Sequence, residues 1–589
     1  MDDQAAVRLQ GVTFTYPGAA APALQDVSLS IDRGDFIAIA GSNGSAKSTL
    51  CKAMNGLIPH FYTGDFLGEA TVNGLSTAQH SVSELARHVG YVYQDFENQL
   101  VRPTVLDEAS FGPLNYGYAD YRERGMRALR MAGLTADPTE FIWQLSGGQK
   151  HLLALAGVIA LEPKVIIIDE PVAQLDPRHA RVIYDTLRKL NEEHGITVIV
   201  IEHHTEFIAE YCRHVVLMSE GSVVWKLPTR EALNRTDELL RHQIYPPQVT
   251  QAAERAELGM RSGSLPIRLE EAVHYFAHAD VSNSIPDSSA PAEELGEQPK
   301  CLNDGRDPVI AMKDVCFSYR TVDRKKQQIL RHVNLAFRPG ELVAIVGSNG
   351  AGKSSLMRLL TGIVRPEQGS VAVQGIDTRT ASPERLADIV TYIYQNPEDM
   401  FIEDSIRKDI AYFLKARMVE GYERRVDDIL ADFNLVQLQE RDGRLLSGGQ
   451  QRRASLAIGV AMTPSVMLLD EPTANLDMAT RRDVARLLQN VRRYTDTVII
   501  ATHDMQLVAE WATRIVVMHE GRVLHDGTKD TVFGNSDLLR QADLSAPQVL
   551  ELSRMLGMPL CYTVDEFSMQ WAGRNKEAND NGAYTQAAR

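Results

Sequence analysis

Two glycine-rich runs are the first segments of this 589-residue chain whose residue types and spacing can do chemistry. Gly347-Ser348-Asn349-Gly350-Ala351-Gly352-Lys353-Ser354, with Ser355 behind it, fits G-x-x-x-x-G-K-[ST], follows an apolar run and opens a predicted helix. In that setting backbone N–H groups and the positive helix end surround phosphate oxygens. Lys353 then neutralises the outer phosphates, and the Ser354 hydroxyl can ligate magnesium. Gly41-Ser42-Asn43-Gly44-Ser45-Ala46-Lys47-Ser48, with Thr49 behind it, repeats the pattern and puts Ser48 at the magnesium position. It departs at Ala46, where glycine is expected. A methyl group there costs little at an ordinary backbone angle and more if φ is positive. We read Ala46 as a tolerated substitution, with a weakened first site as the alternative.

Asp169-Glu170 and Asp470-Glu471 each end an apolar run. Both pairs are thus predicted at the carboxyl edge of a sheet, where open α/β folds bind ligands. Each aspartate suits water-mediated magnesium binding, and each glutamate can polarise an attacking water. Ser146-Gly147-Gly148-Gln149 and Ser447-Gly448-Gly449-Gln450 both follow leucine and precede helical runs at 150–160 and 451–461. A hydroxyl and exposed N–H groups at a helix N-terminus make a second phosphate clamp, where an isolated instance would be an ordinary helix cap.

The elements that must position these groups come in duplicate. From Gly41 to Gly347 the offset is 306 positions; from Ser146 to Ser447 and from Asp169 to Asp470 it is 301. Motifs recurring in one order at near-constant offset indicate duplication of a whole domain, not a short repeat unit. The first domain is expected over 5–278 and the second over 308–567, each with a C-terminal extension. The segment 279–307, rich in Ser, Pro, Asp and Glu, reads as a flexible linker, and 568–589 as a disordered tail. Apolar runs at 36–40, 165–168 and 197–201, and again at 342–346, 466–469 and 497–501, alternate with helical stretches. That pattern predicts a mostly parallel, buried sheet with helices on its faces.

Composition narrows the class further. At 44% hydrophobic and 23% charged residues the chain has material for two cores, and its net charge of −16 argues against charge-driven binding to nucleic acid. Cys51, Cys212, Cys301, Cys316 and Cys561 are scattered without metal-ligand spacing and are read as free thiols in a reducing compartment. The acidic amino terminus is not a secretory signal. No stretch reaches the roughly 18 apolar residues of a membrane span. A cytoplasmic protein is expected.

Glycine loop, Leu-Ser-Gly-Gly-Gln, Asp-Glu strand and the following His203 or His503 together resemble the nucleotide-binding domains of the ABC ATPase family over essentially both halves. The resemblance implies an α/β fold of two P-loop ABC domains, each with a RecA-like core, a helical subdomain and a C-terminal extension. It also implies ATP and Mg2+ as ligands. Tyr16 and Tyr319 would stack on adenine, Gln94 and Gln395 would serve the magnesium and lytic-water region, and His203 and His503 would contact the γ-phosphate. Asp176 and Asp477 would lie in the loop coupling the two sites. Each ATP would lie between one half's glycine loop and the other half's Ser-Gly-Gly segment.

Two jobs fit such a chain: the motor of a membrane transporter, or a soluble tandem ATPase acting on ribosomes or nucleic acid. The runs after the glutamines, Gln94-Asp95-Phe96-Glu97-Asn98-Gln99-Leu100 and Gln395-Asn396-Pro397-Glu398-Asp399-Met400-Phe401, resemble those of energy-coupling factor importers. So do 104–117 and the two C-terminal extensions. The spacing between glycine loop and Ser-Gly-Gly leaves no room for a long coiled coil. The importer is therefore the expected job. Its partners would be a transmembrane coupling subunit and a small substrate-binding membrane protein, with this chain peripheral on the inner face of the cell membrane.

Overall fold

The computed structural model describes residues 5–172, 175–256, 264–278, 307–320, 326–474 and 476–574. They fall into two compact units that divide after His278. The expected linker lies outside the described residues except for Asp307, as does Cys301.

In the first unit a six-stranded sheet runs in the order Ser222–Pro228, His214–Ser219, Phe36–Ala40, Thr197–Ile201, Val165–Asp169, Val89–Val92. All neighbours are parallel except the antiparallel edge strand Ser222–Pro228. Strands buried on both faces must be apolar throughout, which is why these segments read as unbroken apolar runs. Phe36, Ala38 and Ala40 face one core with the helices, whereas Ile37 and Ile39 face another. Register decides where the chemistry goes. Ile39 and Asp169 both pair with Ile201, so the glycine loop, the Asp-Glu pair and His203 leave the sheet at one edge.

The second unit repeats this sheet with Val390–Ile393, Val466–Asp470, Thr497–Thr502, Leu342–Val346, Arg514–His519 and Arg522–Thr528. Helices Gly147–Ile159 and Gly448–Val460 carry the Ser-Gly-Gly segments, and Tyr121–Met131 and Tyr422–Asp432 belong to the helical parts ahead of them. Helices continue past the sheet in each unit, among them Gln248–Arg255 and Gln548–Met555.

Two features depart from the sequence-based expectation. Each unit also holds a four-stranded antiparallel sheet, built in the first from Leu24–Asp32, Ala5–Thr15, Asp65–Val72 and Leu75–Ser76. And residues 568–574, expected in a disordered tail, continue a helix begun at 564. Trp571 stacks over Phe567 with ring centroids 6.3 Å apart and is buried, and this apolar surface holds the last turns in place.

Candidate functional site

The glycine loops sit between the ends of Phe36–Ala40 and Leu342–Val346 and the helices Lys47–Met54 and Lys353–Leu360. Their shape demands glycine at particular positions. A methyl group on Gly41 would lie 2.5 Å from both Met218 O and Ser45 Oγ, and Gly44 and Gly350 have φ of +82° and +83°. Gly352 is also left-handed, at +99°. Ala46, its counterpart, has φ +73°, so its methyl group sits in the costly region rather than the ordinary one. The lysines are buried and cross their loops. Lys47 Nζ donates to Gly41 O and Ser42 O, both at 2.9 Å, and Lys353 Nζ donates to Gly347 O at 2.7 Å and Ser348 O at 3.2 Å. Asn43 and Asn349 occupy the loop tips, and Ala351 is buried under the second loop.

Asp169 and Asp470 end their strands and are buried. Tyr91 donates to Asp169 Oδ2 at 3.1 Å, and Tyr392 to Asp470 Oδ2 at 2.6 Å. Burial raises the pKa of both aspartates and outweighs the hydrogen bonds from Ser48 and Tyr91, or from Tyr392 and Ser354, that oppose it. Among the described residues Asp470 Oδ1 is buried without a hydrogen-bond partner. An orphaned carboxylate oxygen beside a serine in the first turn of a helix fits a magnesium ion or its bound water. Ser48 with Asp169, and Ser354 with Asp470, are the residues that would hold the ion. When bound, Mg2+ neutralises phosphate charge.

The glutamates come next, with φ of +52° at Glu170 and +44° at Glu471. A left-handed, non-glycine residue is strained by about 1–3 kcal/mol and persists where surroundings over-determine it. Those surroundings differ between the halves. Glu170 Oε2 accepts from Gln94 Nε2 at 2.8 Å, and Glu170 Oε1 lies 3.1 Å from His203 Nε2. Glu471 Oε1 lies 3.0 Å from His503 Nδ1 and 3.8 Å from Lys353 Nζ, while Thr502 donates to Oε2 at 3.1 Å. Burial pushes the Glu471 carboxyl up, but His503, Lys353 and Thr502 more than reverse this and hold it below its ordinary value. Gln395 is fixed through its carbonyl oxygen, which accepts from Arg452 Nη2 at 2.6 Å.

The Ser-Gly-Gly segments and the tyrosines complete the inventory. Ser146 and Ser447 cap their helices, each in a reciprocal capping box with Gln149 or Gln450. A methyl on Gly147 would meet nothing within 4 Å and one on Gly448 only Leu476 at 3.9 Å, so both present open backbone. Gly148 and Gly449 instead pack against His179 and Thr480, on the helices that Asp176 and Asp477 cap. Tyr16 lies 3.3 Å from Thr49 through its hydroxyl and packs edge-on to Phe14; Tyr319 packs edge-on to Phe317. Ser355 follows Ser354 in the first turn of its helix.

In each half the structure gathers the glycine loop, the Asp-Glu pair and the histidine at one sheet edge, and in the first half Gln94 as well. Sequence reasoning overlooked Tyr91 and Tyr392, which hold the aspartates, and Arg452, which holds the Gln395 loop. Tyr91-Val92-Tyr93-Gln94 recurs as Tyr392-Ile393-Tyr394-Gln395, and this shared tyrosine was the available signal.

Residues 24–173 and 330–474 each match the ABC transporter family. A protein of Methanosarcina mazei, provisionally named an ABC transporter ATP-binding protein, is 31% identical over 96% of this chain and 95% of its own length. One of Caldanaerobacter subterraneus with the same provisional name is 32% identical over 91% of this chain and 93% of its own. Among solved structures, cbiO1 of Clostridium perfringens, described as part of the ABC transporter complex cbiONQ, is 29% identical. It covers 44% of this chain and 96% of its own, with a TM-score of 0.36.

Proposed function

This chain belongs to the ABC transporter family and is an ATPase using ATP and Mg2+, and from that premise we propose that it is the motor of an energy-coupling factor importer. The observation that carries the reading is the run after each glutamine. Pro397–Met400 and Phe96–Gln99 each form a short 3-10 turn there, and Asn396 caps the former by accepting from Glu398 N. Phe401 is buried against Gly443, so the run joins the glutamine loop to the segment leading into Ser447. The residues just beyond, Val101 and Ile402, are 60% and 55% exposed. Each glutamine loop thus has an apolar side chain in solvent beside it, where the proposed membrane subunit would dock.

In this reading each half's glycine loop takes one ATP. Lys47 and Lys353 neutralise phosphate charge, Glu170 and Glu471 orient the attacking water and take its proton, and Gln94 and Gln395 link that event to the docked partner. The partners are a transmembrane coupling subunit and a small substrate-binding membrane protein, and the cargo is a vitamin, a vitamin precursor or a metal ion. Among the described residues no helix is long and apolar enough to cross a membrane. The chain works from the inner face of the cell membrane. Affinity purification from detergent-solubilised membranes tests this. Co-purification of a small multi-span protein is expected, and recovery of ribosomal proteins in its place would overturn the reading.

A further inference from the structure

Tyr184 and Glu202 form a buried pair with no part in the chemistry above. Tyr184 lies on the helix Pro177–His194, which Asp176 caps, and stacks with Phe207 and Tyr211 at ring-centroid distances of 4.7 and 4.9 Å. Its hydroxyl donates to Glu202 Oε2 at 2.6 Å. Glu202 Oε1 in turn accepts from the backbone N–H groups of His203 and His204, each at 2.8 Å. One buried carboxylate therefore ties the backbone carrying His203 to the helix that begins at Asp176.

The second half is built differently at the same place. Ala485 stands where Tyr184 does, Thr502 where Glu202 does, and Leu507 where Phe207 does. Thr502 donates to Glu471, and the His503 N–H points at Glu471 Oε2 at 3.4 Å rather than at a separate carboxylate. Ala485 and Leu507 line an open cleft in the second half, together with Met478, Arg481, Asp504 and Glu510. Tyrosine with glutamate and alanine with threonine are thus matched pairs. Glutamate without the phenol would leave a buried carboxylate short of a donor, and the phenol without glutamate would leave a buried hydroxyl short of an acceptor.

We propose that Glu202 and Tyr184 are positioning residues of the first half: they draw the His203 backbone away from Glu170 and make His203 move with the helix that follows Asp176. Among the described residues the Glu170 carboxylate is then hydrogen-bonded by side chains alone, Gln94 and His203. In the second half, His503 is hydrogen-bonded to the reacting glutamate by both ring and backbone.

The test uses the full chain. Tyr184→Phe keeps the aromatic stack and removes only the hydroxyl; Glu202→Gln keeps an acceptor for both backbone N–H groups and a polar contact for the phenol. Steady-state kcat and KM for ATP and the melting temperature are measured for each. Expected are a kcat at least threefold lower in Tyr184→Phe with KM within twofold, beside a fall of several °C in melting temperature from the buried carboxylate left short of a donor. In Glu202→Gln, kcat should stay within twofold of the parent. An unchanged kcat in Tyr184→Phe would overturn the proposal. So would a loss in which KM rises in step with kcat, because that is what a merely structural pair would give.

Discussion

At the scale of single residues, backbone angle decides what Ala46 does. An alanine held at φ +73° costs about 1–2 kcal/mol relative to an ordinary angle. Glycine relieves that but gives back about 0.4–1 kcal/mol through a more flexible unfolded chain. The balance favours glycine. Ala46→Gly should raise stability by about 0.5–1 kcal/mol and leave ATP affinity at the first site equal or higher. Thermal melts and nucleotide titration check this, and a clear loss of affinity would contradict it. His151 makes a second prediction. It stands where the second half has Arg452, stacks on Phe96 at 4.5 Å, and its Nδ1 is buried without a partner among the described residues. Burial pushes its pKa down to about 4. A histidine held neutral in the fold binds fewer protons there than when unfolded, so stability is full above its unfolded value and is lost as pH falls towards 4. The first half should lose about 2 kcal/mol between pH 7 and pH 5 on this account. Denaturant unfolding at both pH values, with His151→Gln flattening the difference, measures it.

At the scale of elements, the two glycines of each Ser-Gly-Gly segment do separate jobs. A methyl on Gly148 would lie 2.3 Å from the His179 ring, and Asp176 holds that ring by its Nδ1 at 2.8 Å, so it cannot swing clear. Gly148→Ala should cost about 1–3 kcal/mol through overpacking. Gly147→Ala should cost almost nothing in stability and act on nucleotide turnover instead. Melting temperatures of the two variants separate the cases, and equal values would contradict the assignment. The same scale shows what a sequence makes legible. Runs such as Phe36–Ala40 and Val165–Asp169 announce themselves because both faces of a parallel strand are buried. The antiparallel sheets went unread because Leu24–Asp32 pairs with Ala5–Thr15 through register shifts, and its alternation of buried and exposed residues marks a strand without saying which strand it pairs with. The last helical turns were missed for another reason: one buried residue, Trp571, holds a segment whose composition is otherwise that of a tail. In the site, motif residues were legible from spacing. Partners such as Tyr91, Arg452 and Tyr184 were not, because what they do depends on which neighbours the fold supplies.

At the scale of the whole molecule, the two halves carry two candidate sites with the same parts list and different mountings. The first has Ala46 in its glycine loop, His151 behind its glutamine loop, and Glu202 with Tyr184 beside its histidine. The second has Gly352, Arg452 and Thr502, and its Glu471 is held ionised by His503, Lys353 and Thr502. Glu471 thus meets more partners than Glu170, which is hydrogen-bonded by Gln94 and His203. The most direct test is the steady-state ATPase rate of the purified full chain beside Glu471→Gln and Glu170→Gln. Glu471→Gln should remove most of the activity, at least tenfold, and Glu170→Gln should remove an equal or smaller share. Full activity in Glu471→Gln would contradict the account.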